Sequence, residues 1–523
     1  MYDIIIKNGT IIDGKKTPRF QGDIGISKDS ISAIGDLSNQ SSYTTIDAGG
    51  KYVTPGFIDI TNHSDTHWSL FNDPGQESML RQGITTIMGG ACGSSLAPLV
   101  KIDDINAIQK WTDLSTVNVN WLSMAEYIAE LKRHPLGINF GTLVGHGTLR
   151  QAVVGDKNRA AGKEELAQMR YLLAQALEEG AFGMSLGLAF SKGKSATNDE
   201  ILYLAKQVAD SNKIVTVHLR DEGKNILPSV TEAIHIMRET GAMVHISHYK
   251  ALGREAWDDL PKTLNLIQQA INERLSLTLD VFPYSKTGSL LYALLPIWAR
   301  EETTESIMKK ISNPVQRQTI IESLEHLSLH YSRITIASAK NNRSLAGKTI
   351  QEISANMGLS PEETFLEILK TNDLGVTIFG DTIHDDLVAT LYKQPFTLFA
   401  TDGFGLDLVS PHNGQLAHPR SVGATARFLG DFVRDKEIVS WEDGIYQMTH
   451  GPAARFGIQG RGVLEKGSMA DVVVLDPEAL ADKATYENPF QYPEGISWVI
   501  LNGKIVVEQA ATTETFAGNI LTK

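Results

Sequence analysis

The sequence predicts an α/β protein: a (β/α)8 TIM-like barrel with a small β-sandwich built from both chain termini. Three observations lead there. Eight β-rich segments in the middle of the chain alternate with amphipathic helical segments, the pattern of a closed parallel barrel. The two ends of the chain read instead as short strands joined by tight turns. Titratable residues gather just after the middle strands, where barrels of this kind carry their chemistry.

The eight segments are 56–61, 84–88, 138–144, 182–186, 214–219, 243–248, 275–282 and 396–401. Helical stretches at 163–179, 198–211 and 226–240 separate neighbouring strands with the apolar spacing of a buried helix face. The interval between 282 and 396 exceeds what one helix needs, so an insertion at about 285–345 is expected at the barrel mouth. At the start, segments 3–7, 10–12, 21–26, 31–34 and 44–47 are divided by turn pairs such as Asn8-Gly9 and Asp13-Gly14. The tail repeats the style with 470–476, 498–501, the turn Asn502-Gly503 and 504–507. The expected division is 1–54 and 463–523 for the two parts of the β-sandwich and 55–462 for the barrel.

A chain of 523 residues with 42% apolar content can bury a large core. Its 61 acidic and 48 basic residues give a net charge of −13 without a basic block, which argues against nucleic-acid and anionic membrane partners. No apolar run reaches membrane-spanning length, and the N-terminal residues lack the marks of a signal peptide. A cytoplasmic protein acting on a small molecule is expected, with homo-oligomer formation left open. The single cysteine rules out a disulfide framework.

That cysteine, Cys92, lies in Gly90-Ala91-Cys92-Gly93-Ser94, directly after the second strand. Other strand ends carry His63, His146, His218, His248 and Asp402. Strand alternation puts Thr216, His218 and Arg220 on one face, and sets His248 and Lys250 with Ile246, leaving His245 toward the helices. One such histidine is commonly a hydrogen-bonded core residue, but Cys92, His218, His248 and Asp402 at one barrel face are harder to explain by packing. A thiolate, two imidazoles and an open fourth position suit a catalytic zinc site.

Several segments occur in order: Pro55-Gly56-Phe57-Ile58-Asp59, Gly90-Ala91-Cys92-Gly93, Val144-Gly145-His146-Gly147-Thr148-Leu149-Arg150, His218-Leu219-Arg220-Asp221-Glu222-Gly223, Ile246-Ser247-His248-Tyr249-Lys250, Asp280-Val281-Phe282-Pro283-Tyr284, Thr401-Asp402-Gly403 and His418-Pro419-Arg420. Together they resemble the D-aminoacylase (N-acyl-D-amino-acid deacylase) branch of the amidohydrolase superfamily. The resemblance implies zinc-dependent hydrolysis of the amide bond of N-acyl-D-amino acids to a carboxylate and a free D-amino acid. By it, Cys92, His218 and His248 hold a tightly bound Zn2+, Asp402 is the catalytic carboxylate, and His63 belongs to a second metal position. Lys250, Tyr284 and Arg420 receive the substrate carboxylate, with Ser289 a further candidate, and Arg220 and Glu222 are read as a pair that orients the metal shell.

The sequence departs from that pattern in two places. Thr61 stands where the family carries the first histidine of His-x-His, so one zinc is expected to bind tightly and a second weakly or not at all. His67 could compensate for it. Phe190 replaces a family tyrosine. Two alternatives remain in view. A hydantoinase- or dihydroorotase-like cyclic-amide hydrolase resembles this fold but needs a complete His-x-His and usually a fourth-strand lysine, absent from 182–186. A non-catalytic amidohydrolase-fold assembly protein would have no use for Asp402 beside the zinc ligands.

Overall fold

Eight short parallel strands order the middle of the chain in a TIM-barrel-like α/β domain. They are Phe57–Asp59, Ile84–Gly89, Asn139–Thr142 continuing into Val144–Gly145, Gly183–Gly187, Ile214–His218, Met243–Ile246, Leu277–Val281 and Thr397–Phe399. The computed structural model describes all residues except 106–117, 156, 158, 301–303, 328 and 410–413. The first three strands form one parallel sheet, and Val144–Gly145 begins a six-stranded one that runs through to Thr397–Phe399. At the far edge, Asp402 N–H donates to Thr61 O at 3.0 Å and Thr401 N–H to Asp59 Oδ1 at 2.9 Å, so the eighth strand ends beside the first.

The strands sort their side chains by alternation. Val215, Val217, Val244, Ile246 and Leu279 face outward and share a core with Leu204, Ile234 and Ile267 from the surrounding helices. These helices begin and end where their capping chemistry allows. Thr197 accepts from Glu200 N–H to start Asn198–Asp210, and Gly241, left-handed at φ 73°, stops Ile226–Thr240. Thr216 pairs with His245 and His245 with Thr278 in register, so these polar residues share the inner face. This overturns the expectation that His245 points toward the helices. The strand ends at Ile246, and His248 at φ 37° breaks the alternation that the sequence extended through it.

Both chain ends contribute to one nine-stranded sheet, joined where Val472–Leu475 pairs antiparallel with Tyr52–Pro55. Its core is Ile4, Ile6, Ile24, Ile26, Val53, Val472, Val474 and Ile500. Asn8-Gly9, read from sequence as a turn, is a bulge inside the single strand Tyr2–Ile11. The register shifts between Ile6 and Gly9, and Asn8 takes φ 61° while its N–H is held by Asp23 Oδ1 at 2.9 Å. Asn502-Gly503 is a turn as expected, with both residues at positive φ.

Between the seventh and eighth barrel strands, Lys286–Leu290, Ile334–Ala339 and Val376–Asp381 form a separate antiparallel sheet. Helices Thr304–Ser312, Pro314–His326, Ile350–Met357 and Pro361–Thr371 accompany it. The unit reaches Asp381, past the 345 expected, because its central strand Val376–Asp381, which pairs with both of the others, lies beyond that point. Its core, which includes Leu291, Ile307, Ile336, Phe365, Leu369 and Ile378, is distinct from that of the barrel. Phe365→Ala removes a fully buried ring and should cost about 3–5 kcal/mol. Because the two cores are separate, amide exchange should accelerate first within 286–381. Equal loss of protection in the barrel strands would show that the insertion is not an independent unit.

Candidate active site

Three residues that follow barrel strands adopt left-handed backbone: Cys92 at φ 53°, His248 at φ 37° and Asp402 at φ 51°. Non-glycine residues rarely take this conformation, which costs about 1–3 kcal/mol each. Here it turns their side chains toward one point above the strand ends. Cys92 Sγ lies 3.0 Å from His248 Nε2 and 3.9 Å from His63 Nε2, and His63 Nε2 lies 3.1 Å from Asp402 Oδ1. Ligand atoms of Cys92, His218 and His248 fall within 4.8 Å of one another, as do those of His63, Cys92 and Asp402.

The Cys92 loop is held by close backbone packing. A Cβ on Gly187 would lie 2.2 Å from Cys92 O, and one on Gly145 would lie 2.6 Å from Gly93 O. Thr148 Oγ1 accepts from Ser95 N–H at 2.9 Å, and Asp65 Oδ2 accepts from Gly90 N–H at 2.6 Å. Behind this cradle His146, Arg150 and Glu200 form a buried cluster, with Nε2 of His146 2.8 Å and Nη1 of Arg150 2.6 Å from Glu200 Oε1. His146 thus supports the loop from behind rather than entering the site.

His248 is fixed from below by Asp280, a fully buried carboxylate. Asp280 Oδ1 accepts from His248 N–H at 2.6 Å, while Oδ2 lies 2.7 Å from His245 Nε2 and accepts from Thr61 Oγ1 at 2.6 Å. Thr61 is therefore committed to this carboxylate. On the other side Glu222 lies 3.3 Å from His248 Nδ1, 3.8 Å from His218 Nε2 and 2.7 Å from Lys250 Nζ. The expected Arg220–Glu222 pair does not form. Arg220 pairs with Glu232 at 2.8 Å, leaving Glu222 to brace both histidines.

The expected substrate residues divide. Arg420 Nη1 lies 2.6 Å from Asp402 Oδ2, with its guanidinium carbon 5.0 Å from the centre of the Phe282 ring. Lys250 Nζ, besides Glu222, lies 2.8 Å from His248 Nδ1, so it backs the histidine. Tyr284 donates its hydroxyl to Asp482 Oδ2 at 2.8 Å. Gly288, rather than Ser289, faces the guanidinium, since a Cβ there would lie 3.5 Å from Arg420 Nη2 and the neighbouring residue leaves from the opposite strand face. His67 stacks on Phe404 at 3.8 Å, and burial pulls its pKa down to about 3. Phe190, partly exposed, sits 4.8 Å from the His218 ring.

The charges of the cluster suit a cation. Burial opposes ionisation of the Cys92 thiol, but His248, with His218 and His63, holds it well below its ordinary range. Burial likewise opposes ionisation of Asp402, and Arg420, His248 and His63 overcome it and keep the carboxyl well below the usual carboxylate range. His218 Nδ1 is buried without a hydrogen-bond partner. One thiolate and two imidazoles, one with an open nitrogen, are a fitting donor set for zinc. Glu222 was expected to orient the metal shell, but with Arg220 as its partner, whereas Asp280 and Glu200 received no role from the sequence. Asp280 was visible in the motif Asp280-Val281-Phe282-Pro283-Tyr284 at the end of the seventh strand, without a stated partner, and Glu200 only as a helix residue.

The amidohydrolase family profile matches residues 44–302 and 379–507, leaving out most of the inserted unit. The D-aminoacylase of Alcaligenes xylosoxydans xylosoxydans is 32% identical over 522 residues, covering 100% of this chain and 98% of the relative. The crystal structure of N-acyl-D-glutamate deacylase from Bordetella bronchiseptica, complexed with zinc and a phosphonate inhibitor, superposes with a TM-score of 0.85 at 29% identity over 100% of both chains. A D-aminoacylase structure described by its binuclear metal center, with one-metal activation and second-metal attenuation, superposes at 0.83 with 29% identity and the same coverage. This chain belongs to the amidohydrolase family, in the branch of D-aminoacylase and the N-acyl-D-amino-acid deacylases.

Proposed function

We propose that this protein hydrolyses the amide bond of N-acyl-D-amino acids, releasing a carboxylate and a free D-amino acid. The observation that carries the reading is the convergence of Cys92, His218 and His248 beside Asp402, itself gripped by Arg420. Cys92, His218 and His248 would hold a zinc ion, the metal present in the Bordetella relative's complex. When bound, zinc polarises the amide carbonyl and lowers the pKa of water toward about 7. Asp402 accepts the proton of the attacking water and returns it to the leaving nitrogen. Arg420 offers a planar fork to the substrate carboxylate. Lys250 and Glu222 keep His248 in place, and Lys250 adds positive charge on the same side. His63 with Asp402 would form only a poor second position, because Thr61 donates to Asp280 instead of offering an imidazole.

We read the eight strands as a closed barrel over about 55–462, which the backbone contacts between Asp402 and Thr61 support. The terminal sheet encloses an apolar core of its own on one face, while Val473, Leu475, Val499 and Leu501 join the barrel core, and this suits a β-sandwich of 1–54 and 463–523. Among the described residues no helix is long and apolar enough to cross a membrane, and a cytoplasmic location is our proposal. The cyclic-amide alternative finds no support at the fourth strand, Gly183–Gly187, which carries no lysine.

Zinc-loaded protein should release free D-amino acids from N-acetyl-D-amino acids while the L-enantiomers react poorly, as read by chiral chromatography. An inert D-panel together with turnover of cyclic imides would overturn the reading. Asp402→Asn keeps the side-chain shape but removes the proton acceptor, so kcat should fall by roughly 10²–10⁴ with zinc retained. Parallel loss of zinc and activity would make Asp402 chiefly a ligand.

A further inference from the structure

We infer that His418 is a positioning residue that holds Arg420 over Asp402 by tying together three parts of the chain. The inference rests on the reading of Arg420 as the group that receives the substrate carboxylate. His418 is 7% exposed, and both ring nitrogens are used. Nε2 lies 2.9 Å from Lys286 O, the first residue of the inserted sheet, and Nδ1 accepts from Arg420 N–H at 3.1 Å. A neutral imidazole has one donor and one acceptor, so this pairing fixes a single tautomer, with the proton on Nε2. Burial, then the charge of Arg420, keeps the ring well below its ordinary pKa, consistent with that neutral state.

Four aromatic rings pin the imidazole edge-on. Phe282 and Tyr284 come from the end of the seventh barrel strand, with centroids at 6.1 and 5.4 Å. Phe379 comes from the insertion at 5.6 Å, and Tyr486 from the C-terminal region at 5.2 Å. Buried aromatic contacts of this geometry add specificity to area burial. Arg420 opens the helix Arg420–Arg427, so the bond its N–H donates to the His418 ring fixes where that helix starts. The Arg420 side chain then reaches Asp402 from a fixed point.

A side chain displaced by even about 1 Å can lose as much as roughly 100-fold in productive binding. His418→Phe keeps an aromatic ring but removes both hydrogen bonds. It should raise KM for N-acetyl-D-amino acids roughly 10- to 100-fold, while KM for the matching N-acetyl-D-amino amides, which carry no carboxylate, changes less than about twofold. His418→Asn keeps an acceptor for Arg420 N–H but is too short to reach Lys286, so a smaller rise with the same preference for acids is expected. Arg420→Ala sets the scale, and His418→Phe combined with it should be no worse than Arg420→Ala alone. If Arg420→Ala affects acids selectively but both His418 variants impair acids and amides alike, or neither, His418 only packs and the inference is wrong. If Arg420→Ala itself shows no acid selectivity, the carboxylate reading fails and the role of His418 falls with it.

Discussion

The site depends on three side chains leaving their strands through left-handed backbone. Regular strand geometry would send Cys92, His248 and Asp402 along alternating faces of the barrel wall. At positive φ they turn inward instead and bring a thiolate, an imidazole and a carboxylate to one place. Such strain persists only where the surroundings over-determine it. Gly187 and Gly145 press on the Cys92 loop without side chains, Asp280 holds the His248 N–H, and Thr61 O accepts from Asp402 N–H. The framework of the barrel therefore serves as the preorganising element of the site.

Asp280 links these holds. Buried and bonded to His245, Thr61 and the His248 backbone, it couples the first, sixth and seventh strands beneath the cluster. Its demand for a donor gives Thr61 a use that does not involve metal. Thr61 is thus part of the support for His248, and this underlies our proposal of one tightly held metal. The inserted unit meets the site through Lys286 and Phe379, which contact His418.

Much of this was legible in the residues. The eight barrel strands emerge near their expected positions because their outward faces are β-branched and apolar, and their ends are marked by glycine and polar residues. Cys92, His218, His248 and Asp402 could be grouped because barrel chemistry collects after the strands. The orientation of His245 was misread by counting back from His248, which lies beyond the end of the strand at Ile246, where alternation no longer holds. The partners of Lys250, Tyr284 and Arg220 were equally hidden. Long side chains choose among carboxylates brought together by tertiary packing, and Glu222, Asp482 and Glu232 lie at no characteristic spacing from them. The strands of the insertion were missed because each is short and enclosed by helical sequence.

Cobalt substitution gives the most direct test of a single metal held by the left-handed cysteine and two imidazoles. Titration of metal-free protein with Co(II) should produce an intense thiolate-to-metal charge-transfer band with tetrahedral visible bands. Both should saturate at one equivalent, and the charge-transfer band should be lost in Cys92→Ala. A charge-transfer band that survives in Cys92→Ala, or its absence from the unaltered protein, would contradict the account.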